Sequence, residues 1–255
     1  MQFRFISIDF AVIKPIVVDY YVQLLTHVDS FFEDRLLHAA WYQIMLDQAA
    51  IGLAAVHDAS MLVHFSLQTG YQQYGQIAFE QAKKLANVQA AFVPTNDQWL
   101  LSHALDQHRQ LHKQAYFFQA NDQALLEASP SEQLRLATEV DIGLITEHAS
   151  DLFDQIPQRV AWQQLFCFSI NDEIIGFGII EPSSIYQQVA SIGMHINLAY
   201  RQQGYGTRLI QVLIRHCQNQ QLEPIAGCWY YNHNSKKTLE RAGMYSSTRL
   251  LKIEF

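Results

Sequence analysis

Cysteine is scarce in this chain of 255 residues, and the three that occur, Cys167, Cys217 and Cys228, form neither a CxxC pair nor a zinc-site spacing. An odd, small number of cysteines argues against a disulfide framework. We therefore expect free thiols, no bound metal, and a protein that works in the reducing cytoplasm.

Glycine, proline and long apolar runs are also in short supply. The chain has 11 glycines and 6 prolines, and no apolar stretch approaches the roughly 18 residues of a membrane span. Residues 1–10 lack the basic start of an export signal. Since 49% of the residues are hydrophobic, the apolar material suffices for one large or two modest cores. These features predict a soluble globular protein without a membrane partner, and they exclude collagen-like and disordered chains.

Charged residues make up only 16% of the chain and are divided unevenly along it. Residues 195–255 carry eight Lys/Arg and three Asp/Glu, a balance of +5, whereas residues 1–194 carry nine and 21, a balance of −12. A basic C-terminal quarter suits a phosphate-bearing ligand, and an acidic remainder attracts a cation and repels nucleic acid. The alternative is that these charges are only solvated at the surface and attract no ligand, and this observation leaves that alternative open.

Hydrophobic periodicity predicts two α/β domains, 1–128 and 129–255, because polar turn formers interrupt the pattern between residues 121 and 132. The first domain is predicted to hold helices within 18–50, a hairpin of 51–56 and 61–67, a helix over 77–88, a strand over 90–94, a helix over 98–114 and a strand over 116–119. The second is predicted to hold strands over 134–138, 165–170, 174–180 and 189–198, a helix over 208–218, a strand over 225–231 and a helix over 236–242.

A glycine-containing loop lies between the predicted strand 189–198 and the predicted helix 208–218. Residues 201–206 read RQQGYG, an R-x-x-G-x-G pattern. Glycine lets a ligand approach the backbone closely, and the N–H groups at a helix N-terminus attract a pyrophosphate. Taken alone, this pattern is a weak signal, because two glycines after an arginine are also typical of a plain tight turn.

The residues around this loop make a more specific pattern. The stretch 196–206 reads INLAYRQQGYG, Asn232 and Ser235 follow the next predicted strand, and residues 239–244 read LERAGM. Over roughly residues 130–255, the chain resembles the GNAT superfamily of acyl-CoA N-acyltransferases. The resemblance implies a mixed central sheet flanked by helices, with acetyl-CoA as the co-substrate and no metal.

Carried over position by position, the resemblance implies a cofactor site. The backbone before the loop would pair with pantetheine, the loop would hold the pyrophosphate, and two polar residues after the next strand would contact the cofactor's arm. The implied cofactor-binding residues are Met194, His195, Ile196, Arg201, Gln202, Gln203, Gly204, Tyr205, Gly206, Thr207, Asn232 and Ser235.

The residues that would move protons are harder to identify. Relatives often carry an acidic residue and a tyrosine at positions where this chain has Ala190, Ile192, Gly227 and Leu239, none of which can carry a proton. We take the backbone N–H of Ile196 as the oxyanion donor. The candidates for proton transfer are His195, Tyr230 and Tyr231. Cys228 is expected to be a core residue rather than a nucleophile.

The first half of the chain contains a weak repeat of the pattern found in the second half. Residues 70–75 read GYQQYG, and a predicted helix, a strand and Asn96 follow. The interval from Gly75 to Asn96 is 21 residues, against 28 from Gly204 to Asn232, and the arginine is missing. This pattern predicts a degenerate GNAT-like copy that binds no cofactor and supplies substrate contacts. An unrelated α/β domain is the alternative.

The leading hypothesis is an N-acetyltransferase that moves acetyl from acetyl-CoA to the primary amine of a small cationic molecule. A non-catalytic acyl-CoA-binding sensor or interaction protein is the main alternative, because the family's proton-carrying positions are lost. Aminoacyl transfer from charged tRNA is disfavoured by the net charge of −7, so no nucleic acid partner is expected. The oligomeric state is left open.

Overall fold

The computed structural model describes residues 2–121 and 131–255, which form the predicted mixed α/β fold. The predicted linker near residue 129 lies outside the described residues. The helices and strands are β1 (Phe3–Ile8), α1 (Phe10–Val22), α2 (Ser30–Leu37), β2 (Ala40–Leu46), β3 (Ala49–His57), β4 (Met61–Leu67), α3 (Gly75–Ala82), β5 (Ala90–Pro94), α4 (Gln98–Asp106), β6 (Gln110–Ala120), β7 (Glu132–Leu136), α5 (Ile142–Ala149), α6 (Ile156–Ala161), β8 (Leu165–Ile170), β9 (Glu173–Pro182), β10 (Val189–Ile196), α7 (Tyr205–Asn219), β11 (Glu223–Trp229), α8 (His233–Arg241) and β12 (Met244–Glu254).

These elements divide into two compact units. The first contains the residues up to Phe117, together with Trp229–Tyr231 and Ser247–Phe255. The second contains the described residues of Phe118–Cys228 and Asn232–Ser246. The domain limits predicted from the sequence remain a prediction.

The first unit has a sheet of order β1-β2-β3-β4-β5-β12-β6. Strands β1 to β4 are antiparallel neighbours, β4 and β5 pair in parallel, and β12 runs antiparallel to β5. The predicted hairpin of β3 and β4 is therefore confirmed. Strand β12 was not predicted, although its Leu250 and Ile253 are fully buried.

The helix predicted over 98–114 is wrong beyond Asp106. Asp97 caps the start of α4 by accepting a hydrogen bond from the Leu100 N–H at 2.9 Å. The polar stretch 107–114, QHRQLHKQ, offers no apolar stripe that would bury a longer helix. The chain instead enters β6, where residues 115–118 are buried.

The second unit has a sheet of order β11-β10-β9-β8-β7, with antiparallel pairs from β7 to β10 and a parallel pair of β10 and β11. The predicted hairpin of β8 and β9 is confirmed, and its turn places Asn171 and Asp172 at positive φ. Helix α7 begins at Tyr205, three residues earlier than predicted. It buries the expected stripe of Leu209, Ile210, Leu213 and Cys217.

Cys167, Cys217 and Cys228 are buried, and no disulfide joins them. Within residues 2–121 and 131–255, no helix combines the length and apolarity that crossing a bilayer requires.

Candidate functional site

Strands β10 and β11 separate part-way along their length. Their parallel pairing covers Val189, Ala190 and Ser191 of β10, opposite residues 223–225 of β11. Strand β10 continues to Ile196, however, and β11 continues to Trp229. The two strands therefore leave a gap beyond Ser191, lined by backbone that the β10–β11 ladder does not use.

The direction of each backbone group along β10 follows from the bonds at the ends of its ladder with β9. Ser183 donates to the Val189 carbonyl at 2.9 Å, and Asn197 donates to the Ile175 carbonyl at 3.0 Å. Hydrogen-bonded and non-hydrogen-bonded pairs alternate in an antiparallel ladder, so odd-numbered residues of β10 bond to β9. The N–H groups of Met194 and Ile196 consequently point into the gap.

His195 departs from the expectation drawn from the resemblance. The same alternation turns its backbone N–H towards β9, opposite Phe177, so its main chain is not turned towards the gap. Its side chain projects on the face shared with Phe177, whose ring lies among the residues buried under α5 and α6. Only the side chain of His195 is therefore placed to take part in the site.

The loop before α7 is open. Gly204 caps the helix at φ 89°, and a Cβ added to it would meet no atom of the described residues within 4 Å. Gly204 has no side chain with which to cap α7, so the N–H groups in the first turn of the helix can bind a ligand. Gln202 also has a positive φ, of 60°. An exposed bend with main-chain donors at a positive helix end suits an anion.

The basic side chains near this bend are partly committed to protein partners. Arg201 donates through Nε to the Ile196 carbonyl at 2.8 Å, which ties the loop to the end of β10. Arg208 donates to both carboxylate oxygens of Glu132, at 2.5 and 2.8 Å. Lys236 pairs with Glu240, whereas Lys237 is exposed. Positive charge at the bend therefore comes from the helix end as well as from side chains.

Asn232 and Ser235 meet at the start of α8. The Asn232 side-chain oxygen accepts from the Ser235 N–H at 3.0 Å and so caps the helix. Next to them, Cys228 lies within 3.5 Å of the Asn232 carbonyl oxygen. Burial raises the pKa of the Cys228 thiol, although Ser235 and Lys236 oppose the rise. A protonated, buried thiol is a poor nucleophile, as expected from the sequence.

His195 is the titratable group closest in sequence to the Ile196 N–H. Burial lowers the pKa of its imidazole, and the nearby charges of Arg201 and His148 lower it further, against an opposing effect of Asp151. The imidazole is therefore largely neutral near pH 7, the form that can accept a proton.

Two family models match this chain. The model described as an acetyltransferase (GNAT) domain matches residues 10–121, and the model described as the acetyltransferase (GNAT) family matches residues 133–244. The chain belongs to the GNAT acetyltransferase family. Its first half is thus a GNAT domain as well, and the alternative of an unrelated α/β domain is wrong.

Solved structures share this GNAT fold over the whole chain. A GNAT acetyltransferase from Colwellia psychrerythraea is 18% identical, covers 100% of both chains and superposes with a TM-score of 0.87. A GCN5-related N-acetyltransferase from Sphaerobacter thermophilus is 11% identical, with a TM-score of 0.67 over 99% of this chain and 95% of that one. A tandem GNAT protein from the clavulanic acid biosynthesis pathway is 11% identical, with a TM-score of 0.63 over 99% and 98%. At these identities the likeness concerns the fold alone. No curated protein matches the chain.

The remaining proton-transfer candidates, Tyr230 and Tyr231, lie just after β11 rather than within the strand as predicted. In this GNAT protein both tyrosines belong to the first unit. Tyr231 is 52% exposed. The Tyr230 ring stacks on Tyr116 of β6, with centroids 4.7 Å apart and planes 5° apart, and the Lys113 ammonium lies 4.8 Å from its centroid.

Some residues that shape these environments could not be found from the sequence. Glu132 lies 76 positions before its partner Arg208, and Tyr116 lies more than a hundred positions before Tyr230. No local spacing signals such pairs, since they depend on which strands become neighbours.

Proposed function

We propose that this protein is an N-acetyltransferase that moves an acetyl group from acetyl-CoA to a primary amine of a small, cationic acceptor by direct attack. One observation carries the proposal. Strand β10 leaves β11 after Ser191 and turns the N–H groups of Met194 and Ile196 into the gap, next to the open bend at Gly204.

Each part of the second unit supports binding of one part of acetyl-CoA. The main-chain donors from Gln202 to Thr207, at the start of α7, suit the pyrophosphate. The unpaired edge of β10 can receive the amide-containing pantetheine as if it were another strand. The side-chain amide of Asn232 and the hydroxyl of Ser235 lie at the start of α8, where we assign them to the cofactor's arm.

The same residues support direct transfer. An alkyl ammonium titrates near ~10.4 and must lose a proton before it can attack, and the side chain of His195 is neutral and adjacent to the site. The Ile196 N–H is aimed at the gap, where it can stabilise the negative charge that develops on the carbonyl oxygen. One such donor can contribute roughly 3 kcal/mol to catalysis. Tyr230 and Tyr231 are the candidates for protonating the leaving thiolate.

The choice of a cationic acceptor rests on charge. Residues 1–194 carry a balance of −12, which favours the approach of a positively charged amine and disfavours nucleic acid. We keep the acceptor at the level of a chemical class: a polyamine, an amino sugar or an amino acid amine.

The test is to incubate the purified protein with acetyl-CoA and a panel of cationic and neutral amines, and to follow release of the free thiol. We expect turnover with cationic amines and none for a Gly204→Glu variant. Acetyl-CoA binding by calorimetry without turnover on any amine would favour the alternative, a non-catalytic acyl-CoA-binding protein. A failure to bind acetyl-CoA would contradict both proposals.

A further inference from the structure

A cavity of about 380 Å³ opens on the first unit, at the edge of the sheet where β4 and β5 begin and β12 ends. It lies at the end where β4 and β5 are still paired, and every residue that lines it belongs to the first unit. Its volume is in the lower part of the range typical of cavities that hold small molecules. The lining includes three charged side chains, Arg109, Lys252 and Glu254, and three apolar ones, Met61, Ala90 and Phe255.

Main-chain hydrogen bonds fix the walls of this cavity. The Gln89 N–H, just before β5, donates to the Ser60 carbonyl at 2.9 Å, and the Phe255 N–H donates to the Gln89 carbonyl at 2.9 Å. The Arg109 N–H, just before β6, donates to the Glu254 carbonyl of β12 at 2.7 Å. Because these bonds connect residues beside four different strands, the sheet itself sets the positions of the lining residues, and the cavity needs no ligand to form.

Arg109 supplies a positive charge that the other lining residues do not neutralise. Lys252 and Glu254 lie on the same face of β12, and their side chains form an ion pair at 2.8 Å. The hydrogen bond and the charge of Lys252 lower the pKa of Glu254, so this carboxylate is ionised near pH 7 and matched by that lysine. Within residues 2–121 and 131–255, the exposed guanidinium of Arg109 has neither an ion-pair nor a hydrogen-bond partner. The lining therefore carries one positive charge in excess.

Further positive charge lies close to this cavity. The Lys83 ammonium is 4.8 Å from the centroid of the Phe255 ring, and His112 Nε2 is 3.6 Å from a carboxylate oxygen of Glu254. The first unit as a whole is nevertheless slightly acidic, since its sequence contains nine Lys/Arg and 11 Asp/Glu, a balance of −2. The excess of positive charge is therefore local to the cavity, where it favours an anion.

The apolar part of the cavity wall is fixed by core packing. Ala90 is 4% exposed and Phe255 is 7% exposed, and the Phe255 ring packs edge-to-face on Phe79 of α3 with centroids 5.7 Å apart. Met61 is half-buried. A fixed apolar surface beside a cation suits a ligand with both an apolar part and a negative group. A guanidinium such as that of Arg109 can donate two parallel hydrogen bonds to one carboxylate, so a carboxylate is a good match for this cation.

We propose that this cavity is a binding site for a small monocarboxylate. The carboxylate pairs with the Arg109 guanidinium, and an apolar chain of a few carbon atoms lies against Met61 and Phe255. One excess cation balances one negative charge, and the ionised Glu254 repels a second, so a monocarboxylate fits better than a phosphate dianion. The site goes beyond the acetyl transfer proposed above, because it requires neither acetyl-CoA nor an amine.

Binding of butyrate to the full chain tests this proposal, by saturation-transfer NMR of the ligand and by calorimetry. We expect saturable binding that is several-fold tighter than that of acetate, because each additional CH₂ group that becomes buried contributes to affinity. Inorganic phosphate should bind more weakly than butyrate. Butylammonium, which has the same apolar chain and the opposite charge, should not bind. The proposal is overturned if butyrate does not bind, if acetate binds equally well, or if phosphate or butylammonium binds more tightly.

Two matched variants locate the carboxylate. Arg109→Gln should weaken butyrate binding roughly tenfold or more, because the charge-assisted hydrogen bonds to the guanidinium are lost. Lys14→Gln removes one positive charge from an exposed position on α1 of the same unit and should leave butyrate binding unchanged. Wild-type affinity in Arg109→Gln, or an equal loss in both variants, would contradict the proposed site.

A substitution in the other unit separates this site from the proposed acetyl transfer. Gly204→Glu, which is expected to prevent acetyl-CoA binding, should bind butyrate with wild-type affinity, since Gly204 belongs to the second unit. Loss of butyrate binding in Gly204→Glu would place the anion at the bend before α7 and overturn the proposal. If butyrate binds as expected while no amine is acetylated, the proposed function fails and the carboxylate site stands.

Discussion

The two GNAT domains share the separation of a parallel strand pair but differ at the helix that follows it. Pairing of β4 with β5 covers only Met61 and Leu62 of β4, just as pairing of β10 with β11 stops at Ser191. In the second domain, Gly204 leaves an open bend before the 15-residue helix α7. In the first domain, Gly75 starts the eight-residue helix α3, and a Cβ added to it would lie 2.3 Å from His103 Nε2.

Aromatic rings pack around α3 in the first domain. Phe65 of β4 lies 5.1 Å from Phe79 of α3 and 5.5 Å from His103 of α4, measured between ring centroids, and it stacks at 6.4 Å on Trp99. In the first domain, the region around α3 is therefore part of the packed core. In the second domain, the bend before α7 leaves main-chain donors exposed. The packing supports the expectation that the first domain binds no cofactor, which remains a prediction.

The largest expected effect tests this difference between the two bends. Gly204→Glu places bulk and negative charge where the pyrophosphate is expected, and we predict that acetyl-CoA binding weakens about 100-fold or more, which is ~3 kcal/mol. Isothermal calorimetry measures the change.

The chain offers a matched control in Gly70→Glu. Gly70 has φ 95°, and a Cβ added to it would meet no atom of the described residues within 4 Å, so this substitution places a side chain at a positive φ similar to that of Gly204. Gly70→Glu should leave acetyl-CoA binding unchanged. An equal loss in both variants would show that strain or net charge, rather than the bend at Gly204, is responsible.

The next effect concerns the packed region around α3. Gly75→Ala should destabilise the protein by roughly 2 to 3 kcal/mol, because the new methyl group collides with the rings of His103 and Trp99. Urea unfolding measures this loss. Gly143→Ala, on α5 with open space around the added Cβ, should instead stabilise by about 0.5 to 1 kcal/mol. Equal effects of the two substitutions would contradict tight packing at Gly75.

Acid should weaken the first domain through His64. This imidazole is fully buried between Tyr21 and Ser66, and burial lowers its pKa to about 3. As pH falls below the ordinary value of 6.5, the unfolded chain takes up the proton first, so stability falls between pH 6.5 and 3. From pH 7 to pH 5, His64 should cost about 2 kcal/mol of unfolding free energy.

Comparison with His64→Gln isolates this effect. Burial raises the pKa of Asp97 to about 6, so Asp97 contributes stability at low pH that is lost as pH rises through 6, opposite in sign to His64. Because Asp97 is present in both proteins, it cancels in the difference. Urea midpoints at pH 7 and pH 5 should drop less in His64→Gln than in wild type. Equal drops would exclude His64 as the source.

The smallest effect is expected at the pair of Arg208 and Glu132. Glu132→Gln removes the negative charge that neutralises Arg208 in the first turn of α7. The freed charge should tighten acetyl-CoA binding about threefold at low salt, with the gain lost at high salt. Glu147→Gln, on the exposed face of α5, makes the same charge change and should have no effect. An identical gain in both would point to net charge alone.

More helices and strands of the second domain than of the first could be predicted from the sequence, because more of them follow from local patterns. The hairpin of β8 and β9 and the stripe on α7 follow local periodicity, which a sequence displays directly. Strand β12 and the true end of α4 depend on pairing with residues far along the chain, and no local pattern encodes that pairing. The bend at Gly204 was visible from its glycines, whereas the direction of the Ile196 N–H required the register of β9 and β10.

Strand β12 has a consequence for how the protein is made. The first unit includes Ser247–Phe255, which lie in the sheet between β5 and β6. During translation, β5 is synthesised long before these residues. The edge of β5 that pairs with β12 therefore stays unpaired while the whole second domain is synthesised. Such an edge invites mispairing. Of these two domains, the one translated earlier is therefore completed later, and removal of Ser247–Phe255 would leave its sheet without β12 between β5 and β6.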